Sequence, residues 1–201
     1  MRAHCYDLAA LDSETHLKIL ALIGSLRAAS FSKMLAQAAA ELAPEGTTVE
    51  IVDGRDLPLY DQDLDGEEKP ASVQTLHDQV NGADALLFIS PEYNYGIPGT
   101  LKNLIDWASR PAYNSPLKDR PAMVIALSLA PAGGSRAHAQ LGTVLAGTLT
   151  PVFVTPGFLV GGVHEQFDEN GTLTNELTKI RLERTLAGFV EWAKKNPPPS
   201  A

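Results

Sequence analysis

Four short, predominantly apolar runs constrain the fold of this 201-residue chain more than any other feature. They occupy residues 17–23, 49–52, 85–89 and 122–127, and turn-forming residues bound each of them. Strands that lack polar alternation are buried on both faces, as in a parallel sheet covered by helices. A weaker run over residues 151–154 predicts a fifth strand.

Helical patterns separate these runs. In one of them Leu101, Leu104, Ile105 and Ala108 recur at the three- and four-residue spacing of a helix face. The alternation of strands and helices predicts an α/β fold: a flavodoxin-like three-layer sandwich whose five-stranded parallel sheet has the order 2-1-3-4-5, with helices on both faces.

The same patterns divide the chain into three parts. We expect residues 17–195 to form a single domain and residues 1–16 to be an N-terminal extension. The tail 196–201 contains three consecutive prolines and is expected to be disordered.

Charge and composition exclude several classes of partner. The net charge of −8 and pI near 5.0 argue against nucleic acid and against an anionic membrane surface. No apolar run approaches the roughly 20 residues of a membrane span. The first sixteen residues do not resemble a signal peptide, so we expect a cytoplasmic protein. The histidines lack ligand spacing, and no metal site is expected.

The turn after the first strand has the residues of an anion site. It reads Gly-Ser-Leu-Arg-Ala-Ala-Ser-Phe-Ser over residues 24–32 and leads into a helix. Backbone N–H groups and the helix dipole favour an anion at such a point, and Ser25, Ser30, Ser32 and Arg27 add donors. The other interpretation is that Ser30 only caps the helix and Arg27 is a solvated surface residue. The loop matches neither a dinucleotide fingerprint nor a Walker motif.

The segment after the third strand suits a flat ligand. Residues 90–107 form a turn rich in proline, glycine, tyrosine and asparagine that ends in an amphipathic helix. Loops at the carboxyl ends of neighbouring strands bind the ligand in an open α/β sheet. A phosphate at the first strand and a planar ring at the third describe flavin mononucleotide (FMN).

The two segments resemble the NAD(P)H-dependent FMN reductase family, and within it the bacterial quinone and chromate reductases. The matching residues are Gly-Ser-Leu-Arg-x-x-Ser from residue 24 and Pro-Glu-Tyr-Asn-Tyr-x-Ile-Pro-Gly-x-Leu-Lys-Asn-x-Ile-Asp-Trp-Ala-Ser-Arg-Pro from residue 91. The resemblance runs from about residue 17 to 190. It implies a phosphate held by Ser25, Arg27, Ser30 and Ser32, and a pyrimidine edge near Ser128. The residues implied around the isoalloxazine ring and its polar edge are Pro91, Glu92, Tyr93, Asn94, Tyr95 and Gly96.

Three positions depart from the family pattern. Ser32 stands where an asparagine is usual, and Ser128-Leu129-Ala130 replaces Ser-Pro-Gly. Gly96 aligns with a serine or glycine, and we expect its conformational freedom to loosen the loop.

The resemblance implies an FMN-dependent oxidoreductase. It would pass hydride from NADPH or NADH through FMN to small acceptors, namely quinones, flavins and chromate, by a ping-pong mechanism. No catalytic acid or base side chain is expected. A homodimer or homotetramer is implied, with the third helix and Trp107 at an interface. One alternative is a flavodoxin-type electron carrier serving protein partners; another is a flavin-free binding subunit.

Overall fold

Four of the apolar runs form strands at the expected places in a computed structural model, which describes residues 16–199. Cys5, most of the predicted N-terminal extension and the last two residues of the predicted tail lie outside that range. The sheet has five parallel strands in the order β2-β1-β3-β4-β5, as predicted. The strands are β1 (Leu17–Ile23), β2 (Thr47–Asp53), β3 (Ala85–Pro91), β4 (Ala122–Leu127) and β5 (Phe158–Val160).

Helices cover both faces of the sheet. They are α1 (Phe31–Glu41), α2 (Ala71–Asn81), α3 (Gly99–Ala108), α4 (Ser135–Gly147) and α5 (Glu176–Lys195). Helices α1 and α5 pack in one apolar core, and α2, α3 and α4 pack in the other. Alternate residues of β1 divide between the two cores: Ile19 and Ala21 face α1 and α5, while Leu20 and Leu22 face the other three helices. Burial on both faces explains the continuously apolar sequences of β4 and of residues 85–89 in β3. The edge strand β2 is only partly buried and contains polar residues.

The fifth strand differs from the prediction. Residues 151–154 make only an isolated parallel bridge, between Val152 and Ala122. Regular pairing resumes with Phe158 opposite Ile125. Six positions of this segment therefore span three positions of β4, and the excess chain turns outward through Pro156 and the left-handed Gly157 (φ 92°). A proline here cannot donate to a ladder, which explains the interruption.

Strand β5 forms one edge of the sheet. Its Leu159 carbonyl, which is not used by β4, accepts a hydrogen bond from Nη2 of Arg181 at 3.2 Å. The same guanidinium lies 4.2 Å from the ring centroid of Phe158. Helix α5 therefore covers part of this edge with a charged side chain.

Trp107 is not at a surface, contrary to the prediction of an interface. Its side chain is fully buried on α3, and its Nε1–H donates a 2.8 Å hydrogen bond to the Pro58 carbonyl. Asn103 Nδ2 donates to the same carbonyl. The Tyr60 ring packs edge-on against the indole at 4.9 Å. Trp107 thus anchors the segment after β2 to α3. Across residues 16–199, every helix is too short or too polar to cross a membrane.

Candidate functional site

A cleft of about 350 Å³ opens where the loops after β1, β3 and β4 meet at the carboxyl edge of the sheet. The predicted site residues that line it are Ser25, Arg27, Ser30, Ser32, Pro91, Glu92, Tyr93 and Ser128. Asn94, Tyr95 and Gly96 belong to the same loop as Tyr93 but do not line the cleft. The apolar walls are Phe31, Leu127, Leu129, Ala130 and Val163; of these, the sequence had indicated only the loop residues Leu129 and Ala130.

The β1–α1 loop (residues 24–30) is shaped by a helix cap. The Oγ of Ser30 accepts a hydrogen bond from the Ser32 N–H at 3.2 Å, so Ser30 caps α1 while also lining the cleft. The loop also lies close to β3, because a Cβ on Gly24 would be 3.0 Å from Pro91 Cδ. The amino end of α1 and the end of β3 therefore share one cleft.

Ser32 has an unsatisfied hydroxyl in this cleft. Its side chain is buried at 1% exposure, and among the described residues its Oγ has no hydrogen-bond partner. A buried polar group without a partner is costly in a folded protein and calls for an explanation. The hydroxyl lies in the first turn of α1, where the helix dipole favours negative charge. An anionic ligand at this point would give it a partner.

The β3–α3 loop (residues 92–98) turns tightly. Tyr93 and Gly96 exchange two backbone hydrogen bonds of 2.9 and 3.0 Å, and Asn94 and Tyr95 between them have positive φ angles of 49° and 65°. The N–H of Gly96 therefore donates within the turn and is not offered to a ligand, contrary to expectation. The turn projects the Tyr93 ring, 48% exposed, at the rim of the cleft.

Glu92 connects this loop to helix α4. Its Oε2 accepts hydrogen bonds from the backbone N–H groups of Arg136 at 2.9 Å and Ala137 at 3.1 Å. Nη1 of Arg136 lies 3.5 Å from Oε1, and the carboxyl side chain is only 10% exposed. Gly134, which precedes α4, makes no side-chain cap. Glu92 supplies that cap across the sheet edge, so its carboxylate is committed to structure.

The β4–α4 loop (residues 128–134) forms the opposite wall. The Ala130 N–H donates to Ser128 Oγ at 3.1 Å. Leu129 stands at the mouth of the cleft, 62% exposed. Gly134 has φ 81°, and a Cβ there would lie 3.0 Å from backbone atoms of Leu127. Glycine is therefore required for α4 to begin so close to β4.

Asp53, at the end of β2, is paired with Arg55. The side-chain hydrogen bond from Arg55 lowers the pKa of Asp53 at the end of β2. Within residues 16–199, no group of three or more His, Cys, Asp or Glu side chains is placed to hold a metal ion. The cleft offers hydroxyls, a helix amino end and arginine, which are groups that bind an anion.

The fold and cleft define a flavodoxin-like α/β protein that binds its ligand at the carboxyl edge of the sheet. Comparison with known proteins narrows this class. Residues 17–165 match the family model described as NADPH-dependent FMN reductase. The chain belongs to this family.

Relatives agree with this assignment over nearly the whole chain. The chain is 35% identical over 178 residues to a quinone reductase of Pseudomonas putida KT2440, covering 89% of this chain and 95% of that one. It is 37% identical over 187 residues to the NAD(P)H:quinone oxidoreductase of Solanum tuberosum, covering 89% and 94%. The solved structure of FerB, a flavoenzyme NAD(P)H:(acceptor) oxidoreductase from Paracoccus denitrificans, superposes with a TM-score of 0.82 at 33% identity. The superposition covers 90% of this chain and 99% of the FerB chain.

Family membership makes FMN the cofactor and NAD(P)H the reductant, as predicted. The residues present fit FMN. The unpaired Ser32 hydroxyl at the amino end of α1 suits its phosphate, and the slot between the β3–α3 and β4–α4 loops suits a flat ring.

Proposed function

We propose that this protein is a quinone reductase that binds FMN in the cleft and uses it to pass electrons from NAD(P)H to small quinones. The buried, unpaired hydroxyl of Ser32 carries the proposal, because a phosphate at the amino end of α1 satisfies it. Ser25, Ser30 and Arg27 line the same end of the cleft and complete the phosphate site. The guanidinium of Arg27 adds a charge-assisted hydrogen bond.

The isoalloxazine ring lies between the β3–α3 and β4–α4 loops in this proposal. Pro91, Glu92 and Tyr93 line one side, Asn94 to Gly96 continue the same loop outside the cleft, and Ser128 approaches the pyrimidine edge. Leu127 and Val163 make the walls apolar and exclude water from the ring. FMN supplies the hydride chemistry, and the protein supplies binding and electrostatics.

The names of the relatives favour quinones as the acceptor class. One of them, the 2-hydroxy-1,4-benzoquinone reductase of a Burkholderia species, is 36% identical over 178 residues, covering 89% of this chain and 97% of that one. Tyr93 and Leu129 give the open mouth of the cleft an apolar rim that suits a small flat ring. Flavins and chromate are further acceptors to test.

Anaerobic reduction tests the function directly. We expect NADPH or NADH to bleach the visible band of the bound FMN, and 1,4-benzoquinone to restore it. If reductant and quinone use the open face of the cleft in turn, double-reciprocal plots at several quinone concentrations are parallel. A protein whose bound FMN ignores both NADPH and NADH would instead be an electron carrier. A protein that takes up no FMN would be the flavin-free binding subunit.

Assembly and location complete the proposal. We place the protein in the cytoplasm as a homodimer or homotetramer, and sedimentation equilibrium distinguishes these states. Because Trp107 is buried within α3, an interface on this helix must use its exposed side, where Lys102 pairs with Asp106 at 2.7 Å.

A further inference from the structure

The β3–α3 loop is attached to helix α4 at both of its ends. Near its start, the Glu92 carboxylate accepts hydrogen bonds from two backbone N–H groups of α4. Near its end, the Ile97 N–H donates a 2.8 Å hydrogen bond to Oε1 of Gln140. Gln140 lies one helical turn after Arg136 on an exposed part of α4. The first turns of α4 therefore hold the conformation of the loop that places Tyr93 at the cleft.

The Gln140 side chain also occupies the space beside Gly96. A Cβ on Gly96 would lie 2.8 Å from Gln140 Oε1, so a side chain at position 96 requires the end of the flexible Gln140 side chain to move. The backbone of Gly96 is not in the left-handed region, so this position uses the missing side chain rather than the freedom of glycine. The space left by the missing side chain admits the Gln140 amide, whose Oε1 accepts the hydrogen bond from the Ile97 N–H.

The loop has a further contact with the same helix in its middle. The Arg136 guanidinium lies 4.3 Å from the ring centroid of Tyr95, within the range of a cation–π interaction. Tyr95 is one of the two residues with positive φ in the turn. Helix α4 thus contacts the start, the middle and the end of the loop, and only the contact at the end depends on a glycine–glutamine pair.

We propose that Gln140 is a positioning residue for the FMN ring. Acting through Ile97 and the space left by Gly96, it holds the β3–α3 loop at a fixed distance from the β4–α4 loop. This inference rests on the proposed function, because it places the FMN ring between the two loops. Gln140 does not line the cleft, so its effect on FMN is transmitted through the loop. The net contribution of one such hydrogen bond sets the upper limit of the effect, a loss of FMN affinity of about three- to tenfold if the loop must be ordered anew on binding.

Two single variants and their combination test the pair: Gln140→Ala, Gly96→Ser and the double variant. The control is Gln74→Ala, which removes an exposed helical glutamine that donates a 2.8 Å hydrogen bond to Asp78 on α2, outside the cleft. For each protein we measure the FMN dissociation constant by fluorescence, the absorption spectrum of bound FMN, and amide hydrogen exchange at Ile97 without FMN. A substitution on the helix surface leaves the fold intact.

The expected results form a pattern. The FMN dissociation constant rises about three- to tenfold in each single variant and stays at the wild-type value in the control. Because both substitutions break the same contact, the double variant resembles either single one. Exchange at Ile97 accelerates in all three variants, and the spectrum of bound FMN shifts with the loop.

Three outcomes overturn the proposal. The first is wild-type FMN affinity in Gln140→Ala. The second is a double variant in which the two losses multiply, since that shows two independent contacts. The third is a lowered melting temperature with an unchanged FMN spectrum and dissociation constant, since that assigns Gln140 a purely structural role. Wild-type protein that binds no FMN refutes the proposed function as well, whereas a normal wild type beside an unaffected Gln140→Ala refutes this inference alone.

Discussion

Replacing Ser32 with alanine should stabilise the FMN-free protein while weakening its affinity for FMN. The Ser32 Oγ is buried, and no protein group within residues 16–199 is placed to hydrogen-bond to it. An unsatisfied buried polar group costs about 1–3 kcal/mol, and the alanine variant does not carry this cost. One kcal/mol shifts the melting temperature of a protein of this size by about 2–4 °C. We therefore expect the variant to melt at least about 2 °C above the wild type.

The same substitution should weaken FMN binding, although it raises the stability of the FMN-free protein. A hydrogen bond to a charged group contributes about 1.5–3 kcal/mol, so losing the one from Ser32 to the phosphate raises the dissociation constant about ten- to a hundredfold. Thermal unfolding without FMN and fluorescence titration with FMN measure the two effects on the same preparation.

Ser30→Ala is the matched control in the same loop. It removes the cap that the Ser32 N–H donates to, so the FMN-free protein should lose about 1 kcal/mol of stability. The reasoning fails if Ser32→Ala melts below the wild type in the absence of FMN. It fails equally if this variant binds FMN as tightly as the wild type.

Three further substitutions follow from the contacts. Glu92→Ala removes the acceptor of two α4 N–H groups and should lower the free energy of unfolding in urea by about 2 kcal/mol; a change below about 0.5 kcal/mol would contradict the cap. Trp107→Phe loses the bond to Pro58 and should cost about 2 kcal/mol without changing the sedimentation coefficient. Burial lowers the pKa of His138, so the unfolded chain binds this proton more readily and stability falls as the pH drops from about 7 to 5. His138→Gln should flatten that part of a thermal-unfolding profile.

The parallel sheet could be predicted from the chain because strands buried on both faces lack polar alternation, and its order is the flavodoxin-like one expected of five strands that alternate with helices. The position of β5 could not be read in this way. Residues 151–154 are as apolar as a short strand, but pairing with β4 is decided by Pro156, Gly157 and the contact of Arg181 with Leu159. Arg181 is 22 positions from Leu159 in sequence, and no local sequence pattern predicts that contact.

The location of the cleft was also predictable, since parallel strands bring their following loops to one edge. The directions of side chains were not. Glu92 accepts from a residue 44 positions away, and Gln140 reaches back 43 positions to Ile97. Trp107 looked like an interface residue because α3 alone does not show that Pro58 passes over it. These roles depend on which helix packs beside which loop, and that is fixed only by the tertiary structure.

The Arg181 contact on β5 bears on how copies of this protein can associate. An edge strand with free carbonyls can accept a strand from another molecule and extend into an aggregate. Here the regular edge strand has only three residues, the chain before it turns away at a proline, and a guanidinium covers an outward carbonyl. Two sheets cannot join continuously across this edge. Strand pairing between copies at this end of the sheet is thereby prevented, and the opposite edge, formed by the seven-residue β2, is the one that keeps a regular edge strand.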